Sequence, residues 1–253
     1  MRRLTWAALA VALLAPASAM AGSLSLGVRA KPVRGYKETG NIAGRGAVLE
    51  VRVQVTRQAP GAPAPLTNLT LDLPRGMRWD PRAFQKCPPQ GAMQPLRSSL
   101  FPWCPLRWRT KQNTYARMTV AFGSELVSEQ LIVEPFYDTD DGQSFNIEGH
   151  EPVPIYFFAN GTFHPRAAGG ESFELTFPVV ETAFGRPPAA VTELAFDIGS
   201  GRTSPTTKRT YFSLRMPRGC PGRKLAFDAV ATFSGAERLT ARHQAPCPRL
   251  PGR

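Results

Sequence analysis

The stretch Leu49-Glu50-Val51-Arg52-Val53-Gln54-Val55-Thr56 alternates strictly, with aliphatic side chains at the odd positions and polar ones at the even positions. A strand throws successive side chains to opposite faces, whereas a helix repeats about every 3.6 residues, so this pattern predicts a strand with one buried face and one wet face. The same beat returns in Leu69/Leu71/Leu73, Met118/Val120/Phe122, Val153/Ile155/Phe157, Phe173/Leu175/Phe177/Val179, Leu194/Phe196/Ile198, Phe212/Leu214/Met216 and Leu225/Phe227/Ala229/Ala231. Turn residues separate these runs: Pro60-Gly61, Pro74 to Gly76, Asp141-Gly142, Asn160-Gly161, Gly169-Gly170 and Gly199 to Gly201. Ser124 to Leu131 alone reads as either a strand or a single helical turn.

Strands without intervening helices pair antiparallel, and a sheet with one apolar face buries it against another. The expected fold class is therefore all-β: an antiparallel β-sandwich, either immunoglobulin-like or a larger two-sheet sandwich, braced by disulfides. Residues 22–253 read as a single sandwich domain, with two lobes meeting near residues 138–150 as the alternative.

Arg2 and Arg3 precede an apolar run from Ala7 to Ala15, and small residues follow at Ala19 and Ala21. This is the layout of a secretory signal peptide over residues 1–21, cleaved near Ala21, and it predicts a secreted or extracytoplasmic protein. Past it, no apolar run reaches the ~18 residues a spanning helix needs, so no transmembrane segment is expected after cleavage. In an oxidising compartment the four cysteines predict disulfides. Cys87–Cys104 and Cys220–Cys247 are the expected pairs among three possible connectivities, because each closes a short loop bounded by prolines. Zinc is not expected, since no Cys-x-x-Cys spacing exists and His150, His164 and His243 are scattered.

The chain carries a net charge of +12, distributed as a basic, an acidic and a basic third. Residues 22–119 hold 16 Lys and Arg against 4 Asp and Glu, residues 120–204 hold 3 against 13, and residues 205–253 hold 10 against 2. Thirds of opposite sign neutralise one another when they lie side by side, which argues against a nucleic-acid-binding face. The remaining outward reading is a surface for a cell wall or acidic polysaccharide.

The runs Leu71 to Met77, Phe84 to Cys87, Cys104-Pro105, Arg209 to Leu214, Cys220 to Gly222, Leu225 to Phe233 and Ala245 to Cys247 resemble a group of uncharacterised exported β-rich proteins of actinobacteria with two cysteine pairs. The resemblance covers most of the chain past residue 21. It implies secretion, paired disulfides and a sandwich, and it implies no activity.

Catalytic signatures are missing from the sequence: there is no Gly-x-Ser-x-Gly elbow, no His-Glu-x-x-His and no phosphate loop. The expectation is a non-enzymatic module, a scaffold or binding protein of the cell envelope. Its candidate binding loop is the segment holding Trp103, Arg107, Trp108, Arg109 and Lys111, an aromatic and cationic face suited to sugar rings or anionic polymer. The competing reading packs the indoles over the Cys87–Cys104 bridge. A second function class, a secreted carbohydrate-active or calcium-dependent protein, rests on the acidic segment 134–151. Asp138, Asp140, Asp141 and Glu148 supply hard oxygen donors around Gly142, yet their spacing misses the EF-hand loop. No cofactor and no metal are expected, and the acidic segment reads by default as a solvated hairpin turn.

Overall fold

The computed structural model describes residues 22–32, 46–56, 64–82, 84, 86, 114–122, 125–138, 142–151, 154–179, 189–203, 206, 210–217 and 223–248. These contain β1 (Ser23–Pro32), β2 (Ala47–Thr56), β3 (Leu66–Asp72), β4 (Arg78–Trp79), β5 (Tyr115–Phe122), β6 (Glu125–Tyr137), β7 (Gln143–Gly149) and β8 (Ile155–Pro165). β9 (Glu171–Thr176), β10 (Ala190–Ile198), β11 (Gly201–Thr203), β12 (Thr210–Phe212), β13 (Leu214–Arg215), β14 (Lys224–Phe233) and β15 (Arg238–Pro246) follow. The protein is all-β and antiparallel, with no α-helix among the described residues.

Eleven of the strands are hydrogen-bonded into one large sheet, in the order β1-β2-β10-β5-β6-β7-β8-β9-β3-β14-β15. Its two terminal strands, β1 and β15, pack against each other, so the sheet curls until it is nearly closed. β8 shows how a single strand serves both halves: up to Ala159 it pairs with β7, and from Asn160 onward it pairs with β9. Asn160-Gly161, expected to be a turn, lies inside this continuous strand. A Cβ on Gly161 would stand 2.0 Å from the Gln143 carbonyl oxygen, and one on Gly142 would stand 2.0 Å from the Gly161 carbonyl oxygen. Glycine is needed there because two backbones touch, not because the chain reverses.

The inward residues of both halves meet in one core. Phe145 of β7, Phe173 of β9 and Phe196 of β10 form a ring cluster with centroids 5.2 to 6.3 Å apart. Burying side chains of this size contributes roughly 1.5–3 kcal/mol each. Leu49, Val51, Val53, Leu69, Leu71, Leu175, Leu225 and Phe227 fill the space around them, as their alternation predicts. Glu125 to Leu131 takes the strand alternative, as the first part of β6, whereas Val179, expected on a buried face, is 51% exposed because β9 ends at Thr176. At residues 138–150, β7 pairs antiparallel with the preceding β6 within the sheet.

Topology also places the acidic third between its basic neighbours. β10 lies between β2 and β5, and Glu193 is bridged by Arg52 from one side and Arg117 from the other. β9 lies beside β3, with Arg166 paired to Asp72 and Arg78 near Glu171.

Candidate functional site

Cys87, Cys104, Cys220, Asp140, Asp141 and the loop residues Trp103, Arg107, Trp108, Arg109 and Lys111 lie outside the described residues, as does the segment 1–21. Cys247 is described and is disulfide-bonded.

The rest of the acidic segment does not converge. Asp138 is buried at the β6–β7 turn, where its carboxylate accepts hydrogen bonds from the Gly142 backbone N–H at 2.8 Å and the Ser144 hydroxyl at 2.5 Å. That is a side chain closing its own turn. Glu148 stands at the far end of β7, five residues from Gln143 and, at about 3.3 Å per residue, well beyond the reach of one ion. Its carboxylate faces His150 at 3.3 Å. Register puts Glu134 and Glu148 on the outer face of the β6–β7–β8 ladder, near Tyr156. Burial, together with these two carboxylates, pushes the Tyr156 phenol up to about 12. Among the described residues no group of three or more His, Cys, Asp or Glu is placed to hold a metal ion, and no helix is long and apolar enough to cross a membrane.

Two other places gather chemistry. The first is a groove of about 680 Å³ at one end of the curled sheet, lined by Arg78, Trp79, Asp80, Arg82, Phe163 and Arg215 among others. It exists because β4 and β13, two residues each and far apart in sequence, pair as a small ladder over the core. Trp79 stacks on Phe163, with ring centroids 4.1 Å apart and planes 11° from parallel. Beneath them the Tyr137 hydroxyl contacts the Ser200 and Ser213 hydroxyls at 2.6 and 2.8 Å, and burial pushes it up to about 12. The Ser213 carbonyl in turn accepts the Asp80 backbone N–H at 2.7 Å, tying the ladder to this buried network. At the rim Asp80 accepts a two-pronged hydrogen bond from Arg82, at 2.7 and 2.9 Å, and a third at 3.3 Å from Arg215. The Arg82 guanidinium holds the Asp80 carboxyl below its ordinary value against the opposing effect of burial, with a smaller contribution from Arg215. Burial pushes Glu171 up despite the N–H that Trp79 donates to it at 2.7 Å. Three arginines thus surround two acids and an aromatic pair, and the arginine side chains stay 53 to 84% exposed.

The second is a depression of about 510 Å³ on the outer face of β1, β2, β10 and β5, with His243 of β15 at its flank. Register fixes its floor and walls. Gly27, Arg52, Ala195 and Tyr115 form one row across the four strands, and Arg29, Glu50 and Asp197 form the next. Gly27 and Ala195 leave the floor low, while the charged side chains stand around it.

Comparison with protein families, with known proteins and with solved structures finds no match to the chain. The assignment of a role therefore rests on these two places.

Proposed function

We propose that the protein is a non-enzymatic binding module that works outside the cytoplasm and holds an acidic polysaccharide of the cell envelope in the Trp79–Phe163 groove. The observation that carries this reading is the stacked aromatic pair inside a ring of three exposed arginines. Flat aromatic surface accommodates the apolar face of a sugar ring, and the planar guanidinium matches a carboxylate with two parallel hydrogen bonds. Asp80 keeps Arg82 and Arg215 oriented at the rim, and Arg78 stands beside Glu171.

Export and covalent bracing belong to the same proposal. The signal-like residues 1–21 support the first. For the second, Cys247 is disulfide-bonded and its backbone N–H donates to the Arg223 carbonyl at 3.0 Å, which sets it beside the chain three residues past Cys220. Cys220 is its natural partner, leaving Cys87 to Cys104.

Electrophoresis of the purified protein through gels containing polygalacturonate tests the binding role. Retardation is expected, relieved by salt because the attraction is screened, and absent in a neutral dextran gel. Trp79→Ala combined with Arg82→Gln should restore most of the free mobility. Equal migration in both gels, or retardation unaffected by the double substitution, would overturn the reading.

A further inference from the structure

Asp197 occupies the wall of the outer-face depression, is 9% exposed, and among the described residues no group donates a hydrogen bond to its carboxylate. Burial in this wall disfavours its charged form, and the carboxylate lacks the protein donors that usually offset such burial. Lys31 and Arg52 are engaged with other acids. Glu50, directly opposite on β2, has the Lys31 ammonium for a partner. Arg52, one row away, is committed to Glu193. Burial first, then the Glu50 charge, pushes Asp197 up to about 6, with Lys31 opposing.

The backbone that carries this side chain is held in place from behind. The Gln143 amide donates to the Asp197 backbone carbonyl at 2.5 Å and accepts the Gly199 N–H at 2.8 Å, fixing the end of β10 from the core side. Across the depression Arg29 is exposed and makes no ion pair among the described residues. Asp197 and Arg29 thus stand on either side of Glu50 in one row across the strands, the one without a donor and the other without an ion pair, beside a floor cleared by Gly27 and Ala195.

We infer that this depression is a binding site for a small zwitterion of amino-acid type, whose ammonium is held by Asp197 beside Glu50 and whose carboxylate is held by Arg29. The volume suits such a ligand, since small-molecule sites span roughly 300–1,000 Å³. An ammonium supplies the N–H donors that Asp197 lacks, and Arg29 pairs with a carboxylate in a two-pronged geometry. The chemistry is shared by a free amino acid and by the end groups of a short peptide. This site is separate from the Trp79–Phe163 groove and stands or falls independently of it.

Amide chemical shifts of the full chain, followed during additions of L-alanine, L-alanyl-L-alanine, ethylammonium and propionate, test the inference. Saturable shifts confined to Asp197, Glu50 and their neighbours are expected with the first three probes, and none with propionate. Alanine or the dipeptide should bind several-fold more tightly than ethylammonium; whichever of the two binds more tightly identifies the source. Arg29→Gln should reduce that advantage to nothing while leaving ethylammonium unchanged. Asp197→Asn should lose at least about tenfold for every ammonium, with folding verified by near-ultraviolet circular dichroism. Should Asp197→Asn fail to fold, the wild-type series with propionate as control decides alone. Absence of saturable shifts with the ammonium probes, equal shifts with propionate, or undiminished binding by folded Asp197→Asn would overturn the site.

Discussion

Glu193 and Asp197 sit four residues apart on one strand and one face, both nearly buried at 5 and 9% exposure, yet their surroundings treat them in opposite ways. Burial would raise Glu193, but the Tyr115 hydroxyl at 2.5 Å, Arg52 at 2.6 Å and Arg117 at 3.5 Å together hold it below its ordinary value. Asp197 meets no such donors and is raised to about 6. The difference teaches how to tell a structural charge from an available one. A carboxylate whose lone pairs are all used is part of the scaffold, whereas one left with a burial penalty and open space beside it is poised for an incoming cation.

The comparison assumes that the inner face of β10 sets the position of both carboxylates, and the largest effect tests that assumption. Phe196 lies between them in sequence, points inward, and packs edge-on against Phe145 with centroids 5.2 Å apart. Phe196→Ala should destabilise the protein by about 3–5 kcal/mol in urea unfolding, through lost burial and an unfilled cavity. A cost smaller than that of Glu193→Gln would mean that the outer face, not the core, holds the strand. Glu193→Gln should cost about 1–3 kcal/mol at pH 7, since it weakens charge-assisted bonds while its exposed arginine partners regain water. Because the folded-state value of Glu193 is depressed, its contribution is present above the ordinary carboxylate range and is lost as pH falls through the folded value. The penalty of the substitution should therefore shrink in acid.

Asp197→Asn should act with the opposite sign. With the folded value raised from 3.8 to about 6, ionisation opposes folding; the cost is absent below 3.8, grows between the two values, and is complete above about 6. The substitution should raise stability at pH 7.5 by about 1–2 kcal/mol: at about 1.4 kcal/mol per pKa unit the full shift is worth about 3 kcal/mol, and solvent in the open depression screens part of it. The gain should vanish near pH 3.5. Unfolding free energies of the variant and the wild type across that range check it, and a loss of stability at pH 7.5 would remove the distinction between the two carboxylates.

Much of this outer face was legible only in part. Strict alternation in β2, β3, β14 and most of β10 exposes which residues face the core, because one face of each is apolar and the other polar. β7 alternates in sequence from Ser144 to Glu148, but Ser144 and Asn146 are buried along with Phe145 and Ile147, so its polar side chains do not mark a wet face. β6 carries a nearly fully buried Glu129 on its core side, where Gly149 leaves room for it, and Pro135 interrupts its other end. The bend of the sheet at Gly161 uses a residue pair that is ordinarily a turn signal. Trp79 was invisible as a site residue because its strand has two residues and finds its partner, Leu214, 135 positions away. The Glu50–Asp197 pairing likewise depends on β10 inserting between β2 and β5, an order that no local pattern encodes.

Lys31 provides the finest test of the contrast, and the smallest effect on stability. Its ammonium pairs with Glu50 while both side chains remain about a third exposed, at 37 and 27%, so Lys31→Met should change the unfolding free energy by less than about 1 kcal/mol. Its electrostatic consequence is larger in kind. Lys31 opposes the two influences that raise Asp197, namely burial and the Glu50 charge. Without the lysine, Glu50 faces Asp197 with its own charge unbalanced, and two like charges on opposed positions of neighbouring strands resist joint ionisation. The Asp197 carboxyl carbon should then titrate above about 6 in carbon-13 spectra, while the Glu193 signal, held by Tyr115 and two arginines on the other side of Ala195, stays where it was. A shift of both carboxylates together would show that the two ends of the strand share one electrostatic environment; a shift of neither would show that Lys31 does not balance Glu50 at all.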